Sequence, residues 1–326
     1  MNDDCISNLK LKVKCTINNV SSRAYVTNFL DNTVTVIDTA NNTVIKTISD
    51  VGGYPRRIAI TPDGSQAYVT NDNNINDGTV TVIDMGKNEV IETIVDDVGD
   101  HPQGIAITPN GSKAYVTNNS SNTVTVIDTA KNKVIKTINE VGGSPAQIAI
   151  TPDGSRAYVT NDNRLGTVTV IDTANNTVIK TISDIGAYPE GIAITPNGSK
   201  AYVTNNSSNT VTVIDTASNT VIKRISDVGN GIAITPNSSR AYVTNWLDGT
   251  VTVIDTATNE VIGKPISVER YPYGIAITPN GSQAYVTNYG SNTVTVIDTA
   301  KNEVIGKPIS VGNRPWGIAI AYVKFW

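Results

Sequence analysis

The chain is expected to fold as an all-β, seven-bladed β-propeller of four-stranded antiparallel blades, closed into a ring by its C-terminal strand. Three observations predict this. The string Ala-Tyr-Val-Thr-Asn begins at Ala24, Ala67, Ala114, Ala157, Ala201, Ala241 and Ala284. The mean step is about 43 residues, inside the range of propeller blades. Within each step Ile-Ala-Ile, Tyr-Val-Thr-Asn and Val-Ile-Asp recur in one order, and the short runs rich in Val, Ile, Thr and Tyr suit half-buried strands. Finally, the ends complement each other: blade one starts at Ala24 without a good first strand, while Gly317-Ile318-Ala319-Ile320 is a first strand without a blade after it.

The unit beginning at Gly191 shows the four strands in order. Gly191 to Thr195 is a short apolar run, followed by the turn Pro196-Asn197-Gly198-Ser199, in which proline fixes φ and glycine tolerates the bend. Ala201 to Thr204 is the second strand, and the polar segment Asn205 to Asn209 follows it. Thr210 to Ile214 alternates with period two, Asp215 to Asn219 turns, and Val221 to Ile225 is the fourth strand. No segment carries a helical period, so helical solenoids are excluded. Glycine precedes Ile-Ala-Ile at Gly104, Gly191, Gly231, Gly274 and Gly317, as close approach at a crowded axis requires; Arg57 and Gln147 replace it in two units. Residues 1–19 are expected to form an N-terminal extension and residues 20–326 a single propeller domain. A rival first strand, Val13 to Ile17, aligns poorly with the repeat, and the tail is the preferred closure.

Composition narrows the function classes. Lys+Arg 25 against Asp+Glu 29 gives a net charge of −4, which argues against a nucleic-acid partner and excludes a strongly basic nucleic-acid protein, though not a local basic patch. No apolar run reaches the roughly 18 residues of a membrane span. Two cysteines, Cys5 and Cys15, cannot form a disulfide framework. The single histidine, His101, removes most histidine-based metal and acid–base sites. No phosphate loop, zinc spacing or nucleophile elbow is present. No cofactor, no metal and no catalytic residue is therefore expected.

The seven Tyr-Val-Thr-Asn strings, with Ile-Ala-Ile-Thr-Pro-Asp/Asn-Gly and Val-Ile-Asp-Thr-Ala, resemble the YVTN-repeat β-propellers. The resemblance is nearest to those of archaeal surface-layer proteins and covers roughly residues 20 to 322. It implies an extracellular or cell-surface, non-enzymatic scaffold or adhesion module. Such a module would bind protein or glycan through one loop face and would be monomeric as an isolated domain. Met1-Asn2-Asp3-Asp4 shows no secretion signal, which leaves a cytoplasmic setting open.

The repeated letters read as structural. Asp before a tight turn caps backbone N–H groups, and seven symmetric copies cannot meet on one substrate. The variable loops carry the individuality. Those leading into the first strand hold Arg56, Arg57, His101, Tyr188, Glu190, Tyr271, Tyr273, Arg314 and Trp316; those joining the second and third strands hold Trp246 and Tyr289. Propeller geometry puts both sets on one face, rich in the residue types favoured at interfaces, and these eleven are the expected partner-binding residues. His101 reads as a lone surface histidine, and the loop Asp72 to Asp77 as polar. Two alternatives remain. One is a channel-mouth enzyme using Arg57, His101, Gln147, Glu190 or Arg314. The other is a DNA-binding propeller using Arg56, Arg57, Arg164 and Arg314.

Overall fold

A computed structural model describes residues 20–73, 78–226 and 229–324. Cys5, Cys15, the rival strand at 13–17 and the centre of the Asp72 to Asp77 loop lie outside the described residues. Among the described residues the chain forms seven antiparallel sheets and no helix. Blades two to five each run from an innermost to an outermost strand, as in Pro189–Ile194, Lys200–Asn205, Thr210–Asp215 and Thr220–Ser226. In blades six and seven the outer strand is broken. Glu260–Val261 and Ile266–Ser267 both pair with Thr250–Asp255, and Glu303–Val304 and Ile309–Ser310 both pair with Thr293–Asp298. Pro265 and Pro308 stand at the breaks, where a residue without an N–H cannot continue a ladder.

The C-terminal strand Pro315–Lys324 is the innermost strand of blade one. It pairs with Val20–Asn28 in the register Ala24↔Ile320, Tyr25↔Ala319 and Val26↔Ile318. The ring is thus closed by the tail, as expected. Closure completes a core that would otherwise be half a core, because each apolar cluster lies between two blades. Tyr285, Val294 and Val296 of blade seven pack on Ala24, Val26 and Ile37 of blade one. Fully burying a Val or Ile contributes about 1.5–3 kcal/mol, so each seam depends on both its neighbours.

The repeated polar letters stitch the same seams. Each Tyr-Val-Thr-Asn tyrosine is fully buried, and its hydroxyl pairs with an asparagine in the outer turn of the next blade. Tyr115–Asn176 and Tyr158–Asn219 are two such pairs, and Tyr285–Asn42 closes the ring. Burial pushes the Tyr115 phenol up to about 12, so it stays neutral. Each threonine hydroxyl accepts the N–H at the axial glycine position of its own blade and donates to the preceding residue's carbonyl in the next blade. Gly191 N–H donates to Thr204, which donates to the Asn230 carbonyl at 2.5 Å. The Val-Ile-Asp aspartates cap their turns, as Asp172 does for Ala174 and Asn175 at 2.9 Å.

Candidate active site at the channel mouth

Two sets of equivalent positions build the mouth of the central channel. The inner set is the residue before the axial glycine position: Arg56, Gln103, Ala146, Glu190, Asn230, Tyr273 and Trp316, one per blade. The Thr-to-carbonyl bonds just described hold their backbones, and the glycines let the strands crowd together. A Cβ on Gly231 would stand 2.0 Å from the Tyr273 carbonyl oxygen. The outer set follows Tyr-Val-Thr-Asn: Phe29, Asp72, Asn119, Asp162, Asn206, Trp246 and Tyr289. In six blades its N–H donates to the carbonyl of a residue held at positive φ, as Asn206 does to Tyr188 (φ 55) at 3.0 Å. His101, Tyr271 and Arg314 occupy the same left-handed position, a backbone region that non-glycine residues seldom visit.

At the centre stands Glu190. Its carboxylate accepts from the Tyr273 hydroxyl, from Asn230 Nδ2 at 3.3 Å and from Asn206 Nδ2 at 3.4 Å. Burial pushes the carboxyl up, while the positive charge of Arg57 works against that shift. The Arg57 guanidinium lies over the Tyr273 ring, 4.9 Å from its centroid. It has no hydrogen-bond partner among the described residues. Burial lowers the Arg57 group to about 10, so it is still a cation at neutral pH. Asp162 faces the same mouth, and burial first, then the Glu190 charge, raises it to about 6.

An aromatic belt covers the other half. Trp246 stacks on Tyr271 at 5.0 Å and meets Tyr273 edge-on at 5.6 Å; Trp316 lies 4.1 Å from Tyr273 and 5.6 Å from Tyr289. Phe29 and Tyr54 extend the belt. Arg56 sits over Trp316 at 4.9 Å, and Arg314 over Tyr289 at 5.3 Å. Arg56 is also bound to Asp72 through Nε at 2.8 Å, and the other Asp72 oxygen is taken by His101 Nδ1. His101 is therefore not a lone surface histidine: a buried carboxylate 29 positions away holds it, a pairing that no spacing within one repeat reveals.

A cavity of about 520 Å³ opens beside Glu190 between blades five and six, with Asn230, Trp246, Tyr273 and Trp316 in its walls. The structure thus brings together ten of the eleven residues expected on the loop face, linked through contacts that run from His101 by way of Asp72 and Arg56 to the belt. Tyr188 stands apart, 40% exposed, with no ring contact to another described aromatic. Sequence reasoning missed Asn230, Asn206, Asp72 and Asp162. Aligning the repeats on the residue before the axial glycine, and on the one after Tyr-Val-Thr-Asn, would have found all four. Among the described residues no group of three or more His, Cys, Asp or Glu side chains could hold a metal ion.

A convergent carboxylate, a phenol and an unpaired guanidinium at one mouth are the makings of acid–base chemistry. A sequence profile of the lactonase, seven-bladed β-propeller family matches residues 16–140 and 99–230. The chain belongs to that family. Membership overturns the expectation of a non-enzymatic surface scaffold with no catalytic residue, and with it the surface-layer, adhesion and structural reading. The physical reason is geometric. Residues repeated on outer turns cannot converge, but residues at the axial end of every inner strand must.

Solved structures share this lactonase-family fold. A protein of unknown function from Desulfotomaculum acetoxidans DSM 771 superposes with a TM-score of 0.78 at 18% identity, covering 93% of this chain and 99% of that one. A candidate 6-phosphogluconolactonase from Bacteroides fragilis NCTC 9343 gives 0.75 at 18%, with 94% and 99% covered. Hydrazine synthase from Kuenenia stuttgartiensis gives 0.71 at 24%, with 83% and 95% covered. No curated protein matches the chain.

Proposed function

We propose that this lactonase-family propeller is a hydrolase that opens cyclic esters at the channel mouth. One observation carries the reading: the half-buried Glu190 carboxylate meets the Tyr273 hydroxyl, and the unpaired Arg57 guanidinium lies on the same tyrosine ring. Glu190 takes a proton from water, a role that suits a carboxylate whose basicity burial has raised. The hydroxide adds to the lactone carbonyl. Arg57 stabilises the oxyanion of the tetrahedral adduct from a fixed position. The ring C–O bond then breaks, and the leaving alkoxide takes the proton from Glu190, giving the open hydroxy acid. Tyr273 orients the carboxylate through its hydrogen bond, and Asn230 holds the second oxygen.

The test is proton release from a panel of five- and six-membered lactones, glucono-1,5-lactone included. Turnover of at least one by the wild type, with loss of about 10²–10³-fold in Glu190→Gln, is expected. Equal rates in both proteins would refute the assignment.

A further inference from the structure

Blade six lacks part of the loop that roofs the other blades. Between Ile225 and Gly231 the chain has three fewer residues than between Ile182 and Gly191, and Gly229 stands where the other six blades have proline. Among the described residues of that loop no left-handed residue covers the mouth. Instead the Asn230 side-chain oxygen accepts the Trp246 N–H at 3.2 Å. The 520 Å³ cavity runs outward from Glu190 between the loops of blades five and six.

The chemistry of this groove is specific. Trp246 and Trp316 offer ring faces, and Asn206, Asn209, Asn230 and Asn245 offer amides that both donate and accept. No Lys or Arg lines it, and its charged groups are the acids Glu190 and Asp248. A phosphate lying in the groove would meet carboxylates, because Arg56 and Arg57 sit over the rings of Trp316 and Tyr273 and do not line its walls. A neutral polyhydroxylated ligand finds apolar faces for its C–H surfaces and amides for its hydroxyls. At about 520 Å³ the groove falls in the range of ligand sites and has room for more than one sugar ring.

We infer that the groove is a subsite for a neutral oligosaccharide, so that the substrate is a carbohydrate chain whose terminal lactone ring reaches Glu190. The inference rests on the hydrolase reading for the identity of that terminal ring, but not for binding of the chain. Leu247, 87% exposed at the groove's outer lip, marks where further rings pass into solvent.

The experiment separates the two. Wild-type protein is titrated with neutral trisaccharides (maltotriose, cellotriose, xylotriose) and, separately, with glucose 6-phosphate and inorganic phosphate, by tryptophan fluorescence and calorimetry. Saturable quenching by at least one trisaccharide, with the phosphorylated probes weaker, is expected. Trp246→Ala weakens that binding about tenfold by calorimetry. In kinetics the same Trp246→Ala raises KM about tenfold for a disaccharide aldonolactone, with kcat changed much less. Binding with no lactone hydrolysis overturns the hydrolase reading and keeps the subsite. Hydrolysis of monosaccharide lactones with no trisaccharide bound, or tighter binding of phosphate or glucose 6-phosphate, overturns the subsite.

Discussion

The Tyr273 hydroxyl donates to the Glu190 carboxylate across 83 residues of sequence, from blade seven to blade five. Neither residue belongs to the repeated strings, yet both sit at the same place in their blades, immediately before the axial glycine. A seven-fold scaffold has in this way become an asymmetric site.

The bond fixes the sign of one prediction. A donor to a carboxylate favours its charged form, so Tyr273→Phe will raise the Glu190 carboxyl further. The acid limb of the rate profile moves to higher pH and kcat falls about tenfold. Rates between pH 4 and 8 check it; a limb that moves to lower pH would show that Tyr273 does not donate to the base.

Arg57 pulls Glu190 the other way and, over the Tyr273 ring, is the cation proposed to stabilise the oxyanion. Arg57→Met is expected to lower kcat about 10²-fold or more, with a smaller change in KM, and to move the acid limb upward. Loss confined to KM would make Arg57 a substrate-binding group only.

Asp162 links the site to stability. Its folded value, about 6, lies above the ordinary 3.8, because burial and then Glu190 disfavour its charge. A carboxyl raised in this way strains the fold once it ionises. The associated stability is present below pH 3.8 and lost as pH rises through 6. Asp162→Asn should therefore stabilise the protein at pH 8 by roughly 1–2 kcal/mol and have little effect at pH 4. Urea unfolding at the two pH values measures it, and an equal effect at both would reject the account.

Ring closure gives a prediction away from the site. Tyr285 is fully buried and its hydroxyl meets Asn42 across the closing seam. Tyr285→Phe should cost about 1 kcal/mol, since it leaves the half-buried Asn42 amide oxygen without this donor. The same change at Tyr158, in an interior seam, should cost a similar amount if the closing seam is energetically ordinary. Thermal unfolding of both variants compares them.

The fold was legible in the sequence because every blade repeats the residues that make it. Tyr115, Thr117 and Asp172 act within one repeat or across one seam, so their roles recur on the period. The site was only partly legible. Glu190, Arg57 and Trp316 could be named as odd residues in variable loops, but nothing local shows that they meet. His101 and Asp72 illustrate why: their contact spans two blades and depends on the positive φ at His101. Convergence on the axis is a property of the closed ring, and reading each loop against a neutral background led to a scaffold where the assembled mouth supports catalysis.

The pH dependence of kcat/KM for lactone hydrolysis tests the central claim most directly. The account predicts an acid limb above the ordinary glutamate value of about 4.3, set by Glu190. Glu190→Gln should erase the acid limb along with most of the rate. A wild-type profile without that limb, or one that Glu190→Gln leaves in place, would contradict it.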